Sequence, residues 1–280
     1  DASFTYSSGT YCLTGTDPTP TVTGTLGGVF SGAGLVINSS SGLIDLDASG
    51  VGPYVVKYVT LGTCPDSTTF NITITSSPDG SFSYSGPYCS VGTANVTLGV
   101  GASSGSYSSA LGLSLNIGTG AVDLSTSTPG TYKVYNTITA SGGCSGSIDS
   151  ANITINAVDT ATFTFADFCE GSINGAVITG TTGGDFSFNV APGGSTGIST
   201  STGEITNEVG GSTYSIKYLT TGTCPDSSVV SVKVNALDDP SFTYSSGTYC
   251  LTGTDPTPTV TGTLGGVFSG AGLVINSSSG

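Results

Sequence analysis

Apolar and polar residues alternate with a period of two in three separate stretches: Pro53-Tyr54-Val55-Val56-Lys57-Tyr58, Thr131-Tyr132-Lys133-Val134-Tyr135 and Thr213-Tyr214-Ser215-Ile216-Lys217-Tyr218. Successive side chains of a strand point to opposite faces. Tyr54, Val56 and Tyr58 therefore share a face, as do Tyr214, Ile216 and Tyr218, while Lys57, Lys133 and Lys217 lie opposite. A Gly turn and a short strand precede each stretch, at Gly42-Leu43-Ile44-Asp45, Gly120-Ala121-Val122-Asp123 and Gly203-Glu204-Ile205-Thr206. A last alternating run follows, at Phe70-Asn71-Ile72-Thr73-Ile74, Asn152-Ile153-Thr154-Ile155 and Val230-Ser231-Val232-Lys233-Val234. With the SFTY segments and the central GGVFS and GGDFS segments, the pattern predicts about seven short strands in each block. Helical periodicity is absent, and the Gly and β-branched content opposes it. The expected architecture is all-β, with a two-sheet sandwich in each block.

The blocks repeat. Residues 241–280 are identical to residues 3–42 at an offset of 238. Within that offset SFTY at Ser3 returns as SFSY at Ser81, as TFTF at Thr162 and again as SFTY at Ser241. Self-similarity at a fixed period is the signature of a tandem array. The boundaries implied are residues 1–78, 79–158 and 159–237 for three immunoglobulin-like repeats, and 238–280 for the N-terminal half of a fourth. Gly280 matches Gly42, which is followed by Leu43-Ile44-Asp45-Leu46. The expectation is that the natural chain runs on with a similar segment and places a cysteine as far beyond Cys250 as Cys64 lies beyond Cys12.

Seven cysteines mark the same period. Cys12, Cys89, Cys169 and Cys250 follow the SFTY-like segments, and Cys64, Cys144 and Cys224 fall in Gly-rich turns. Pairing within modules joins Cys12 to Cys64, Cys89 to Cys144 and Cys169 to Cys224 at nearly constant separation, and leaves Cys250 waiting for a partner. Such loops would stabilise each module by roughly 2–4 kcal/mol. Pairing across boundaries (Cys64–Cys89, Cys144–Cys169, Cys224–Cys250) is equally regular over shorter intervals. Metal ligation is disfavoured by the lack of His and of any CxxC. Intramodule pairing is the expectation, and either disulfide scheme places the chain outside the reducing cytosol.

The order SFTYS, YC, GLVINSSSG, Tyr strand, CPD and NITI resembles the immunoglobulin/PKD-like repeats of giant secreted surface adhesins of Bacteroidota. The resemblance spans the whole chain. It implies tandem immunoglobulin-like β-sandwiches in an extended array, forming a cell-surface stalk or filament used in attachment or gliding. It carries over no catalytic residue. Cys144 lacks the Pro-Asp that follows Cys64 and Cys224, a departure from the pattern.

Composition narrows the function further. Formal net charge is −14 with four Lys, no Arg and no His, so nothing is available to build a phosphate-reading basic stripe, and nucleic acid is excluded as a partner. No apolar run in this segment reaches the roughly 18 residues that span a bilayer. Ser-His-Asp and Cys-His constellations cannot be assembled, no catalytic residue is assigned, and the chain is read as a non-enzyme. The aromatics at repeated strand positions read as core rather than as carbohydrate platforms. Asp1, Asp79, Asp159 and the Asp238-Asp239 pair precede the first Phe of each module. They are candidates for junction calcium, with Asp17, Asp66 or Asp226 added if the fold brings them to the same end; turn capping is the rival and no cofactor is required. The partners expected are neighbouring repeats of the same chain and a surface ligand that the sequence does not identify. Gripping a glycan or protein, and self-assembly by strand complementation, are the alternatives.

Overall fold

The computed structural model describes residues Asp1–Gly280, which fall into two compact units, Asp1–Val158 and Asp159–Gly280. The first sandwich is built from β1 (Phe4–Thr5), β2 (Thr10–Cys12), β3 (Thr21–Val22), β4 (Val29–Ser31), β5 (Val36–Ile37), β6 (Ile44–Asp45), α1 (Leu46–Ser49), β7 (Gly52–Val59) and β8 (Ser67–Thr75). Its main sheet has the order β2-β8-β7-β4. β7 and β8 form a long antiparallel hairpin, whereas β2 joins β8 in parallel, with Cys12 opposite Thr75. The second layer is two short ladders, β1-β3 and β5-β6, rather than a continuous sheet. β7 buries Val56 and Tyr58 and half-buries Tyr54 while exposing Lys57, as its alternation predicts.

The second sandwich contains β9 (Phe82–Ser83), β10 (Tyr88–Cys89), β11 (Thr93–Ala94), β12 (Thr97–Leu98), β13 (Ser106–Ser109), β14 (Ser114–Leu115), β15 (Val122–Asp123), β16 (Gly130–Ile138) and β17 (Ser147–Asn156). The third contains β18 (Phe163–Thr164), β19 (Phe168–Cys169), β20 (Val177–Ile178), β21 (Asp185–Phe188), β22 (Gly197–Ile198), β23 (Ile205–Thr206), β24 (Thr213–Leu219) and β25 (Ser227–Asn235). Their main sheets, β10-β17-β16-β13 and β19-β25-β24-β21, repeat the order of the first. Each sandwich thus has eight or nine strands instead of about seven, because the segment after the first cysteine adds very short ladders. One helical turn also escaped the strand pattern: α1 starts where the Asp45 carboxylate accepts the Ala48 N–H at 3.0 Å, an N-cap. No helix is long and apolar enough to cross a membrane.

Three separate cores have one aromatic plan. Phe4 meets Phe30 edge-on at 5.4 Å, Phe82 meets Tyr107 at 5.4 Å, and Phe163 meets Phe186 at 5.3 Å. Tyr58 and Tyr218 lie tilted against the second ring and send their hydroxyls to loop backbone, bonding Gly28 N–H and Thr25 C=O, or Gly184 N–H and Thr181 C=O. In the second sandwich this position is Asn136. It is fully buried, accepts the Gly105 N–H at 2.8 Å and donates to Gly80 and Ser103 carbonyls at 2.8 and 3.0 Å. An amide therefore satisfies the same loop that a phenol satisfies elsewhere.

The tight turn before β6 is fixed by Gly42 at φ +72°, where an added Cβ would lie 2.5 Å from Pro20 and 3.1 Å from Phe30. Tyr6 donates its hydroxyl to the Gly42 carbonyl at 2.6 Å, and Tyr84 does the same to Gly120.

β26 (Phe242–Thr243) and β27 (Thr259–Val260) belong to the duplicated segment. Phe242 pairs with Val260 as Phe4 pairs with Val22, Phe242 meets Phe268 at 5.2 Å, and Tyr244 reaches the Gly280 carbonyl at 2.9 Å. Yet Phe242 is 47% exposed where Phe4 is 5% exposed. Here no strand corresponds to β7 or β8, and a groove of about 600 Å³ lined by Phe242, Tyr244, Phe268, Leu273 and Ile275 stands open.

Two outcomes follow from the core. Gly27 also has positive φ but open space around it, so Gly27→Ala should cost about 1 kcal/mol in urea denaturation and Gly42→Ala about 2–4 kcal/mol. Burial, with Tyr107 and Tyr88 nearby, pushes the Tyr84 phenol up to about 12, and burial raises Tyr6 as well. A phenol harder to ionise folded than unfolded leaves stability intact below about pH 10 and removes it as pH climbs from there toward the folded pKa. Ultraviolet phenolate titration should show a late-ionising fraction that shrinks in Tyr84→Phe.

Candidate functional site at the first junction

Strand register places the two cysteines of each of the first three modules at opposite ends of its main sheet. Cys12 pairs with Thr75 at the end of β8, while Cys64 lies three residues before β8 begins at Ser67. Cys89 pairs with Asn156 at the end of β17 and Cys169 with Asn235 at the end of β25, and Cys144 and Cys224 likewise precede the starts of those strands. Nine strand residues separate such ends by roughly 26 Å. A disulfide requires Cα atoms within about 7 Å. The expected Cys12–Cys64 bond is therefore replaced: Cys12 is bonded to Cys144 of the second sandwich, with Cα atoms 4.6 Å apart. This also displaces the Cys89–Cys144 pair and the alternative Cys144–Cys169. Cys89 and Cys224 are disulfide-bonded too, whereas Cys64, Cys169 and Cys250 are exposed free thiols.

The bond is seated in a fitted contact. Ser141-Gly142-Gly143-Cys144 closes a turn in which the Cys144 N–H donates to the Ser141 carbonyl at 2.9 Å. Gly142 and Gly143 have φ of +58° and +78°. A Cβ on Gly143 would lie 2.8 Å from the Thr10 carbonyl and 3.0 Å from Tyr11 Cα, so the turn rests directly on the backbone of β2. Thr75 Oγ1 donates to the Gly142 carbonyl at 2.6 Å. The short link Ser77-Pro78-Asp79-Gly80 is tied on both sides. Ser77 and Thr14 hydroxyls are 2.9 Å apart, the Gly80 N–H donates to Asp149 at 3.1 Å, and the Ser103 N–H donates to the Asp79 carbonyl at 2.8 Å. Of this set, Thr75, Gly142, Gly143 and Asn136 were not singled out from the sequence; the paired glycines before Cys144 were the available signal.

The acidic residues act on backbone. Asp79 and Asp239 accept the N–H groups of Ser81 and Ser241 two residues on, as Asp1 accepts that of Ser3. The Ser81 N–H and hydroxyl hold the Asp79 carboxyl below its ordinary range, and the Ser241 hydroxyl and N–H do so for Asp239. Asp66, Asp149 and Asp226 accept the N–H groups of Ala2, Gly80 and Ala161. Asp159 accepts from Gly222. The fold thus brings Asp66 and Asp226 to the module starts, but Asp17 joins Asp45 and Asp47, with carboxylate oxygens within 4.8 Å of one another. Asp47, bonded to Asp45, lowers the Asp45 carboxyl and is itself raised. Calcium takes roughly six to eight oxygens. Here Asp17 and Asp45 already hold the Leu46 and Ala48 N–H groups. In the second sandwich Ser125 stands where Asp47 does, and its hydroxyl donates to Asp123. A second groove of about 490 Å³, lined by Val190, Pro192, Val209 and Tyr214 among others, contains no carboxylate, amine or thiol.

No family model matches this chain, and no curated protein matches it. Among solved structures it is similar to mouse cadherin-23 EC22-24, at 11% identity and a TM-score of 0.27, covering 85% of this chain and 99% of that one. It is also similar to human CDH23 EC21-23, at 11% identity and a TM-score of 0.34 over 71% and 80% of the two chains. For Drosophila N-cadherin EC1-4 the values are 13%, 0.29, 79% and 70%.

Replacing both Cys12 and Cys144 by Ser should lower the urea stability of the first unit by about 2–4 kcal/mol. Gly143→Ala should raise the free-thiol content at Cys12 and Cys144, counted by alkylation, because its methyl group obstructs the seat on β2.

Proposed function

We propose that the chain is a structural segment of an extracellular repeat array, a stalk or filament of a surface adhesin serving attachment or gliding. The observation that carries this reading is the covalent tie between successive sandwiches, Cys12 to Cys144, seated beside a hydrogen-bonded four-residue link. A bond that joins one fold to the next does little for a binding pocket and much for the continuity of a rod. Disulfides persist outside the reducing cytosol, which supports an extracellular location at the cell surface. The inventory of side chains, with no His and four Lys, supports a non-enzymatic role. The Bacteroidota adhesin assignment rests on the sequence resemblance, and the modular limits 1–78, 79–158, 159–237 and 238–280 remain part of the proposal. In this reading the neighbouring repeats are the principal partners, and a surface ligand is engaged elsewhere in the parent molecule.

Single-molecule stretching tests it. The bond spans a sequence separation of 132, so a chain pulled from its ends with the bond intact withholds roughly 450 Å of contour length. Reduction, which also opens the disulfides of Cys89 and Cys224, should release at least that length. Equal lengths before and after reduction would show that the bond is not in the load path and would remove the mechanical reading.

A further inference from the structure

We propose that Asn174 is a modification site, a carboxamide that is lost by deamidation when its two bonds to Ile205 open. The inference lies wholly within the third sandwich and does not depend on the adhesive reading. Asn174 stands just ahead of β20, and its side chain acts as a strand would. Its Oδ1 accepts the Ile205 N–H at 2.7 Å, and its Nδ2 donates to the Ile205 carbonyl at 3.1 Å. In the second sandwich the matching residue of β15, Val122, pairs with Ala94 of β11, backbone to backbone. In the first, the Ile44 N–H donates to the Pro18 carbonyl. The third sandwich meets this edge with a side chain instead. Ile205 belongs to the core and pairs on its other side with Ile198 of β22, so Asn174 holds the remaining edge of β23.

Asn174 is also the one asparagine of the chain that Gly follows. A glycine there has no Cβ to keep its nitrogen away from the carboxamide carbon. The Gly175 N–H donates to no protein group, so its nitrogen is free of any bond that the reaction would have to break. That nitrogen gives its proton to hydroxide and attacks Asn174 Cγ. A Cγ–N bond forms, the Cγ–Nδ2 bond breaks, and Nδ2 leaves as ammonia after taking a proton from water. Water then adds to one of the two carbonyls of the succinimide ring and opens it, to aspartate or to isoaspartate. Attack on Cγ turns the carboxamide, and both bonds to Ile205 oppose that turn.

The product does not restore the pin. A carboxylate has no N–H to offer, so an acceptor would face the Ile205 carbonyl and leave it unsatisfied. Isoaspartate also lengthens the backbone by one carbon ahead of Gly175. The modification is thus made while this edge of β23 is open, and it keeps the edge from closing as before.

The test is peptide mapping by mass spectrometry of the full chain held in mildly alkaline buffer, with and without urea. In urea the peptide containing Asn174 should show the mass change of deamidation before any other asparagine peptide, and about tenfold or more faster than in native buffer. Gly175→Ala, compared in urea where no fold constrains it, should slow the change. Asn174→Asp, a stand-in for the product, should speed native-state hydrogen exchange across β22 and β23 severalfold. No deamidation at Asn174 in urea, or a rate that Gly175→Ala leaves unchanged, overturns the site. Equal rates in native buffer and in urea overturn the protection by Ile205, and unchanged exchange in Asn174→Asp overturns the pin.

Discussion

The long antiparallel hairpin, β7 with β8 in the first sandwich, is the interaction on which the rest of each module depends. Every other ladder is two to four residues long, too short to hold an isolated pair of strands in water. The hairpin supplies Val56, Tyr58, Ile72 and Ile74 to one face, and against that face the short ladders pack. The duplicated segment shows the dependence directly. The same stretch of sequence forms the same turn, the same ring contact and the same tyrosine-to-carbonyl bond in both places, but encloses a core only where the hairpin covers it. Local structure is thus written in the segment, and burial is contributed by the strands that follow it.

The hairpin also decides the cysteine chemistry. Because β2 pairs with the last three residues of β8, the first cysteine is carried to the far end of the sheet from the hairpin loop that holds the second. A module bonded to itself would have to fold its own length in half. The first two modules bring unlike ends together at no such cost. The turn that meets β2 does so through glycine because a side chain there would occupy the space of the β2 backbone.

The alternation of Tyr54, Val56 and Tyr58 was enough to read the strands, their inward faces and the all-β class, since a half-buried strand leaves a period-two trace. The second layer was harder. Two-residue ladders such as β5-β6 leave no periodicity, and the α1 turn depends on one capping carboxylate. Cysteine positions were legible and their pairing was not. Sequence separation is a weak guide because the entropy of closing a loop grows only logarithmically with its length, so the Cys12–Cys64 and Cys12–Cys144 loops differ little in cost. Strand register decided the matter, and the pairing of β2 with the end of β8 has no signature in composition or spacing. Asn136 was hidden for another reason: its role is defined by the Gly105 and Gly80 backbone groups around it, which only the folded loop brings together.

Cys144 precedes β17, so the partner of Cys12 is made on the ribosome long after the first sandwich is complete. Through that interval the first module is a finished fold with both of its thiols, Cys12 and Cys64, still reduced. Oxidation of Cys12 to its partner then records that the hairpin turn of the following module has been formed and docked. In a chain made from the N-terminus, the bond serves as a proofreading mark on assembly order: the first module is sealed by its successor.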